Sequence, residues 1–95
     1  VSDEETTEAG GRPTEAPNAV SVLEYVVKQV VDNPDAVEVA TNESRRADLQ
    51  LDVTVGDGDM GRVIGKRGRI AQSIRTVVRA AAVKDGAQVD IEFVD

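Results

Sequence analysis

The chain has no cysteine and no histidine among its 95 residues. Disulfides, thiolate chemistry, imidazole bases and the common zinc ligands are therefore excluded together. Aromatic residues are nearly absent, with only Tyr25 and Phe93 and no Trp. The core must be aliphatic, and aromatic platforms for stacking nucleobases are not at hand. No apolar run approaches the roughly 20 residues needed to cross a bilayer. Acidic residues stand near the start, where a signal peptide places basic and then apolar ones. A cytoplasmic protein with no membrane contact is expected. Ser21, Ser44 and Ser73 have no basic partner in a recognised spacing, so no nucleophile and base pair can be assembled. No enzyme activity, cofactor or metal is expected.

What the chain does have is charge, unevenly spread. The formal net charge of -7 taken alone argues against a polyanionic partner. The segment from Met60 to Arg79 reverses that reading, because it holds no Asp or Glu and carries Arg62, Lys66, Arg67, Arg69, Arg75 and Arg79. Residues 1–17 hold acids, Pro and Gly and almost nothing that could be buried, so they cannot offset their own ordering entropy. They are expected to form a disordered acidic tail, with a solubilising role, ahead of one domain over 18–95.

Within that domain, Val20, Leu23, Val27, Val30 and Val31 follow helical spacing, and Ser21-Val22-Leu23-Glu24 has the form of a capping box. A helix is expected from Asn18 or Ser21 to the Asp32-Asn33-Pro34 break. Ala36 to Thr41 reads as a strand. After a polar turn with Arg45 and Arg46, Leu49, Leu51, Val53 and Val55 alternate with polar residues in the clearest strand. Gly56 to Gly58 ends it, and Asp59 is placed to cap a short helix through Ile64. A longer helix from about Gly68 to Lys84 has Ile70, Ile74, Val77, Val78 and Ala81 in a stripe, and Gly86 closes it. Val89, Ile91 and Phe93 then alternate as a last strand. The order α-β-β-α-α-β, with strands polar on one side, predicts an α+β fold. It is a two-layer sandwich of three helices on one face of a three-stranded mixed sheet, strands one and two antiparallel, two and three parallel.

The cationic segment centres on Val63-Ile64-Gly65-Lys66-Arg67-Gly68-Arg69-Ile70. Two glycines separated by two residues let the backbone turn between helices without Cβ obstruction, so a phosphate strand can approach the main chain. The following helix would aim unpaired amides and its positive dipole end at that phosphate. Lys66 and Arg67 add mobile charge, with Arg62 and Arg69 beside them. Val63, Ile64 and Ile70 are candidates for an aliphatic wall touching bases, over the strand Leu49 to Val55 as floor. Arg75 and Arg79 read as a solvated helix face.

This stretch resembles the GXXG signature of KH domains in its V-I-G-x-x-G setting, although Ile70 arrives one position early. The element order is that of the type II KH arrangement, and the resemblance covers about residues 18 to 95. The Asp-Asn-Pro-Asp helix end, the Asp59-Met60-Gly61-Arg62 approach and the Val-Asp-Ile ending look like the KhpA family of small bacterial single-KH proteins. The resemblance implies a cytoplasmic RNA chaperone or RNA-binding regulator that takes about four nucleotides of single-stranded RNA. It also implies self-association as a homodimer, or pairing with a KhpB-like larger KH protein, and links to cell shape and cell wall biogenesis. An alternative is a KH-fold interaction module, a dimerisation or adaptor unit with secondary RNA contact.

Three weaker signals are set aside. Gly56 to Gly61 formally reads G-x-G-x-x-G, but Asp57 and Asp59 would face a pyrophosphate. The same two carboxylates lack further oxygen ligands for a divalent metal. Asn42-Glu43-Ser44 fits a glycosylation acceptor but reads as a turn.

Overall fold

A computed structural model describes residues 13–94. Its first helix, α1 (Pro17–Val30), carries Ala19, Leu23 and Val27 at four-residue spacing, and these three are fully buried. The helix starts earlier than the capping box suggests. Pro17 occupies the first turn, where a missing N–H costs nothing, and Ser21 lies exposed inside the helix. The orphan amides are satisfied from the far end of the chain. Asp85 accepts hydrogen bonds from the Asn18 and Ala19 amides at 3.0 and 2.9 Å and from Asn18 Nδ2 at 2.9 Å. Ala16 is buried at 2% exposure, so the core reaches into the segment read as tail. Residues 1–12, where most of that expected tail falls, lie outside the described residues.

A single 3-10 turn, Pro34–Ala36, follows α1 and delays the first strand, so β1 is Glu38–Glu43 rather than 36–41. Ser44 Oγ then accepts from the Arg46 and Ala47 amides at 3.2 and 3.1 Å and shapes the turn into β2 (Leu49–Thr54). The last strand, β3, is Val89–Val94. β1 pairs antiparallel and β3 parallel with β2, in the order β1-β2-β3. Leu49, Leu51 and Val53 of β2 and Val89 and Ile91 of β3 point into one buried layer with α1 and the third helix. Glu38, Asp52, Asp90 and Glu92 fall on the opposite, open face by strand alternation. Asn42 Nδ2 and Gln50 Nε2 donate to the two Asp52 oxygens there, at 2.6 and 2.8 Å. This is the expected mixed sheet with helices on one side.

Two helices carry the site. α2 is Met60–Ile64 and α3 is Arg69–Ala82, with a tight turn at Lys66–Gly68 between them. α3 buries Ala71, Ile74, Val78 and Ala82. The expected stripe is displaced by one residue: Val77 is 48% exposed, and Ile70 and Ala81 are only half-buried. Ala71 and Ala82 are buried instead, at 2% and 0% exposure. Gly86 closes the helix end at φ 67°.

The Asp85 contact gives a pH prediction. Desolvation raises its carboxyl pKa, but the amide hydrogen bonds from Asn18 and Ala19 and that of the Asn18 side chain outweigh it and hold the pKa below its ordinary 3.8. A depressed folded-state pKa makes the contribution complete above the unfolded value and lost as pH falls through the folded one. Asp85→Ala should lower the urea midpoint by a constant amount from pH 7 to about pH 5, and that difference should shrink below about pH 3.8. Circular dichroism of both proteins across pH checks this.

Candidate nucleic-acid interface

The approach to the loop is set by a buried carboxylate. Asp59, only 3% exposed, accepts from the Asp32 amide at 3.1 Å and the Asn33 amide at 3.0 Å. Its side chain thus holds the exit of α1 against the entry of α2, and makes no side-chain cap on α2 itself. Arg62 joins this latch, with Nη2 at 2.9 Å from Asp32 and Nε at 3.7 Å from Asp59. Arg62, expected to meet RNA, is thereby engaged with two carboxylates. Val63, one residue on, is completely buried and serves as core beneath α2 rather than as a wall for bases.

Beyond Ile64 the backbone enters an uncommon region. Four consecutive residues have positive φ: Gly65 at 31°, Lys66 at 48°, Arg67 at 62° and Gly68 at 85°. For residues with a Cβ this left-handed region costs roughly 1–2 kcal/mol each, and Lys66 and Arg67 adopt it in an exposed loop. The two glycines do different work. A Cβ at Gly65 would fall 2.5 Å from Ile70 Cδ1 and 3.0 Å from the Arg62 carbonyl oxygen, whereas one at Gly68 would meet nothing within 4 Å. Gly65 thus lets the turn close onto Ile70, and Gly68 leaves its outer side open. Ile70 therefore packs under the loop and toward α1, where it lines a groove with Val26, Val30, Arg69 and Val77. Ile64 is 40% exposed.

The amides are not all where helix geometry suggests. The Gly68 amide donates to Gly65 O at 3.0 Å, and the Arg69 amide donates to Lys66 O. Among the described residues it is the Lys66 and Arg67 amides that have no acceptor. Lys66, Arg67 and Arg69 also form no ion pair with a described residue. Three exposed cations and two open amides therefore share one short loop.

The expected floor is also different. The apolar side chains of β2 are buried under the helices, at 5% exposure or less, and offer no surface to a ligand. The strand that flanks α3 toward solvent is β3, and α3 is fastened to it. Arg75 Nε donates to Ile91 O at 3.3 Å, and its guanidinium lies 5.2 Å from the Phe93 ring centroid. Arg79 Nη2 lies 3.8 Å from Asp90. Arg75 and Arg79, read as a solvated face, in fact line the seam between α3 and the outer edge of β3. Helical periodicity could show that they share a side, at about 40° apart, but not which strand that side meets.

The unequal glycines can be measured. Gly68→Ala should cost about 1–2 kcal/mol for left-handed backbone alone. Gly65→Ala should cost more, by roughly the 1–3 kcal/mol of forced repacking around Ile70. Urea unfolding of the two variants beside the parent protein gives the order.

Comparison with known proteins follows the same outline. The sequence profile of the family described as KhpA/KhpB, KH domain matches residues 20–93. A Caldanaerobacter subterraneus subsp. tengcongensis relative named RNA-binding protein KhpA is 45% identical over 73 residues, spanning 77% of this chain and 96% of that protein. A Streptomyces coelicolor relative of the same name is 48% identical over 73 residues, spanning 77% and 90%. Among solved structures, Aquifex aeolicus Era aligns with a TM-score of 0.60 and 17% identity, over 79% of this chain and 29% of that one. At that identity the likeness shows the fold alone. The profile match and these relatives, both named RNA-binding protein KhpA, establish that the chain belongs to the KhpA/KhpB KH domain family.

Proposed function

We propose that this chain binds single-stranded RNA at the loop Gly65–Gly68, taking about four nucleotides, as a cytoplasmic RNA chaperone or RNA-binding regulator. The observation that carries this reading is an exposed left-handed loop whose cations have no carboxylate partner among the described residues and whose Lys66 and Arg67 amides are open. A phosphate there accepts charge-assisted hydrogen bonds from Lys66, Arg67 and Arg69, each contributing at or below about 1.5 kcal/mol in an exposed setting. Gly68 keeps the approach clear. Ile64 is the exposed apolar side chain beside the loop that offers contact to a base. The open sheet face carries Glu38, Asp52 and Glu92 without an arginine partner among the described residues, so a polyanion is repelled from the middle of that face and favoured at the loop. Affinity is modest and sequence preference loose, because few directed base contacts are on offer.

A second reading rests on the apolar groove of about 280 Å³ between α1 and α3, lined by Val26, Val30, Ile70 and Val77, with Tyr25 66% exposed on the same helix layer. Such a surface suits a protein partner: a second copy of the chain, or a KhpB-like larger KH protein. The two readings are compatible, since pairing two weak loops on one strand raises avidity.

Lys66→Asp combined with Arg67→Asp tests the first reading. Removing two cations and adding two repulsive charges should weaken binding of a labelled U12 RNA by more than about tenfold, with the fold intact by circular dichroism. The slope of log K against log salt should also flatten by about 0.7 for each phosphate no longer neutralised. Unchanged affinity in the folded variant rejects the loop as the site.

A further inference from the structure

Asp90 draws two arginines from separate elements to one point. It projects from β3, and its two oxygens face Arg79 of α3 and Arg46 of the turn between β1 and β2, at 3.8 and 3.4 Å. Neither approach makes a hydrogen bond, and Asp90 Oδ2 is buried with no hydrogen-bond partner. The carboxylate therefore draws two guanidinium groups together by charge attraction and leaves their forked donors unconsumed by it. Both arginines stay accessible, with Arg46 at 79% and Arg79 at 48% side-chain exposure, and a cleft of about 350 Å³ opens beside them. Two cations against one carboxylate leave a net positive point at the corner of an otherwise acidic sheet face.

Its position gives it meaning. Arg79 is ten residues beyond Arg69 on the same helix, about 15 Å along the axis. Between them Arg75 lies along the β3 edge, held by Ile91 O and stacked on Phe93. Arg69 itself faces the groove with Val26 and Val30, so the cations on the α3 and β3 seam are Arg75 and then the Arg46 and Arg79 pair, farther from the loop. We propose that Arg46 and Arg79 form a second phosphate-binding subsite for single-stranded RNA, engaged by strands that extend beyond the tetranucleotide held at the loop. This rests on the loop reading above and sets the length of RNA the protein prefers. Bidentate contact from guanidinium forks is the chemistry that recognises the phosphate. Asp90 tunes the subsite, keeping both arginines nearby while offsetting part of their charge.

Binding of U4 and U12 RNA to the full chain, followed by NMR and by titration, separates the possibilities. U4 should shift the amides of Gly65 to Gly68 and leave the Arg46 and Arg79 Nε resonances unmoved, while U12 should shift both sets. Arg46→Ala with Arg79→Ala should weaken U12 about fivefold or more, leave U4 unchanged, and flatten the U12 salt slope by about 0.7 for each phosphate released from the subsite. Equal effects on both lengths, or none, overturn the subsite. If that variant is unfolded, Asp90→Asn carries the test: tighter U12 with unchanged U4 supports the subsite, and no change or equal tightening overturns it. The loop reading fails separately, if Lys66→Asp with Arg67→Asp leaves both lengths bound as before.

Discussion

The candidate site depends on a missing atom. With no Cβ at Gly65, Ile70 Cδ1 can occupy the space where that carbon would stand, and α3 can fold back close to α2. The closure forces Lys66 and Arg67 into left-handed backbone and thrusts their side chains outward. Strain of this kind persists only where surrounding structure over-determines it. Here the determinants are the buried Val63 below, Ile70 beside, and the Asp59 latch that fixes the start of α2 against the end of α1. The loop is thus a consequence of packing that it does not itself provide.

Electrostatics then divide the surface. An acidic chain can still attract a polyanion if its cations are grouped and its acids are engaged or turned away, because screening confines exposed charges to a range of about 10 Å. Asp32 and Asp59 are taken up by Arg62, and Asp85 by the start of α1. The acids of the open sheet face lie across the sheet from the helices. What remains facing solvent at the head of α3 is Lys66, Arg67 and Arg69. The negative total charge therefore limits where a strand can lie more than whether it can bind.

The edge of β3 would otherwise be an open template for another strand. Arg75 occupies the outward carbonyl of Ile91 and covers Phe93, so one side chain blocks strand pairing and keeps a cation on the seam. Arg79 wraps the same edge toward Asp90. The arginines of α3 thus bind the helix to the sheet and set the character of the groove between them.

The sequence by itself determined the element order, the mixed sheet and the place of the loop, because alternation, helical spacing and glycine punctuation are local signals. It also determined that Lys66 and Arg67 stand between two glycines, with no acid from Met60 to Arg79. Only the tertiary structure decided which partners long-range contacts supply. A capping box at Ser21 was outcompeted by Pro17 and by Asp85, which lies 67 residues beyond Asn18. Asp59, a local cap by spacing, became a latch to α1, and Arg62 was drawn to it. Val63 and Ile70 went into packing, and Arg75 and Arg79 went to the β3 edge. Each of these outcomes turns on which surface lies opposite a side chain. Periodicity fixes the side of a helix on which a residue stands, and only the assembled layers fix what that side meets.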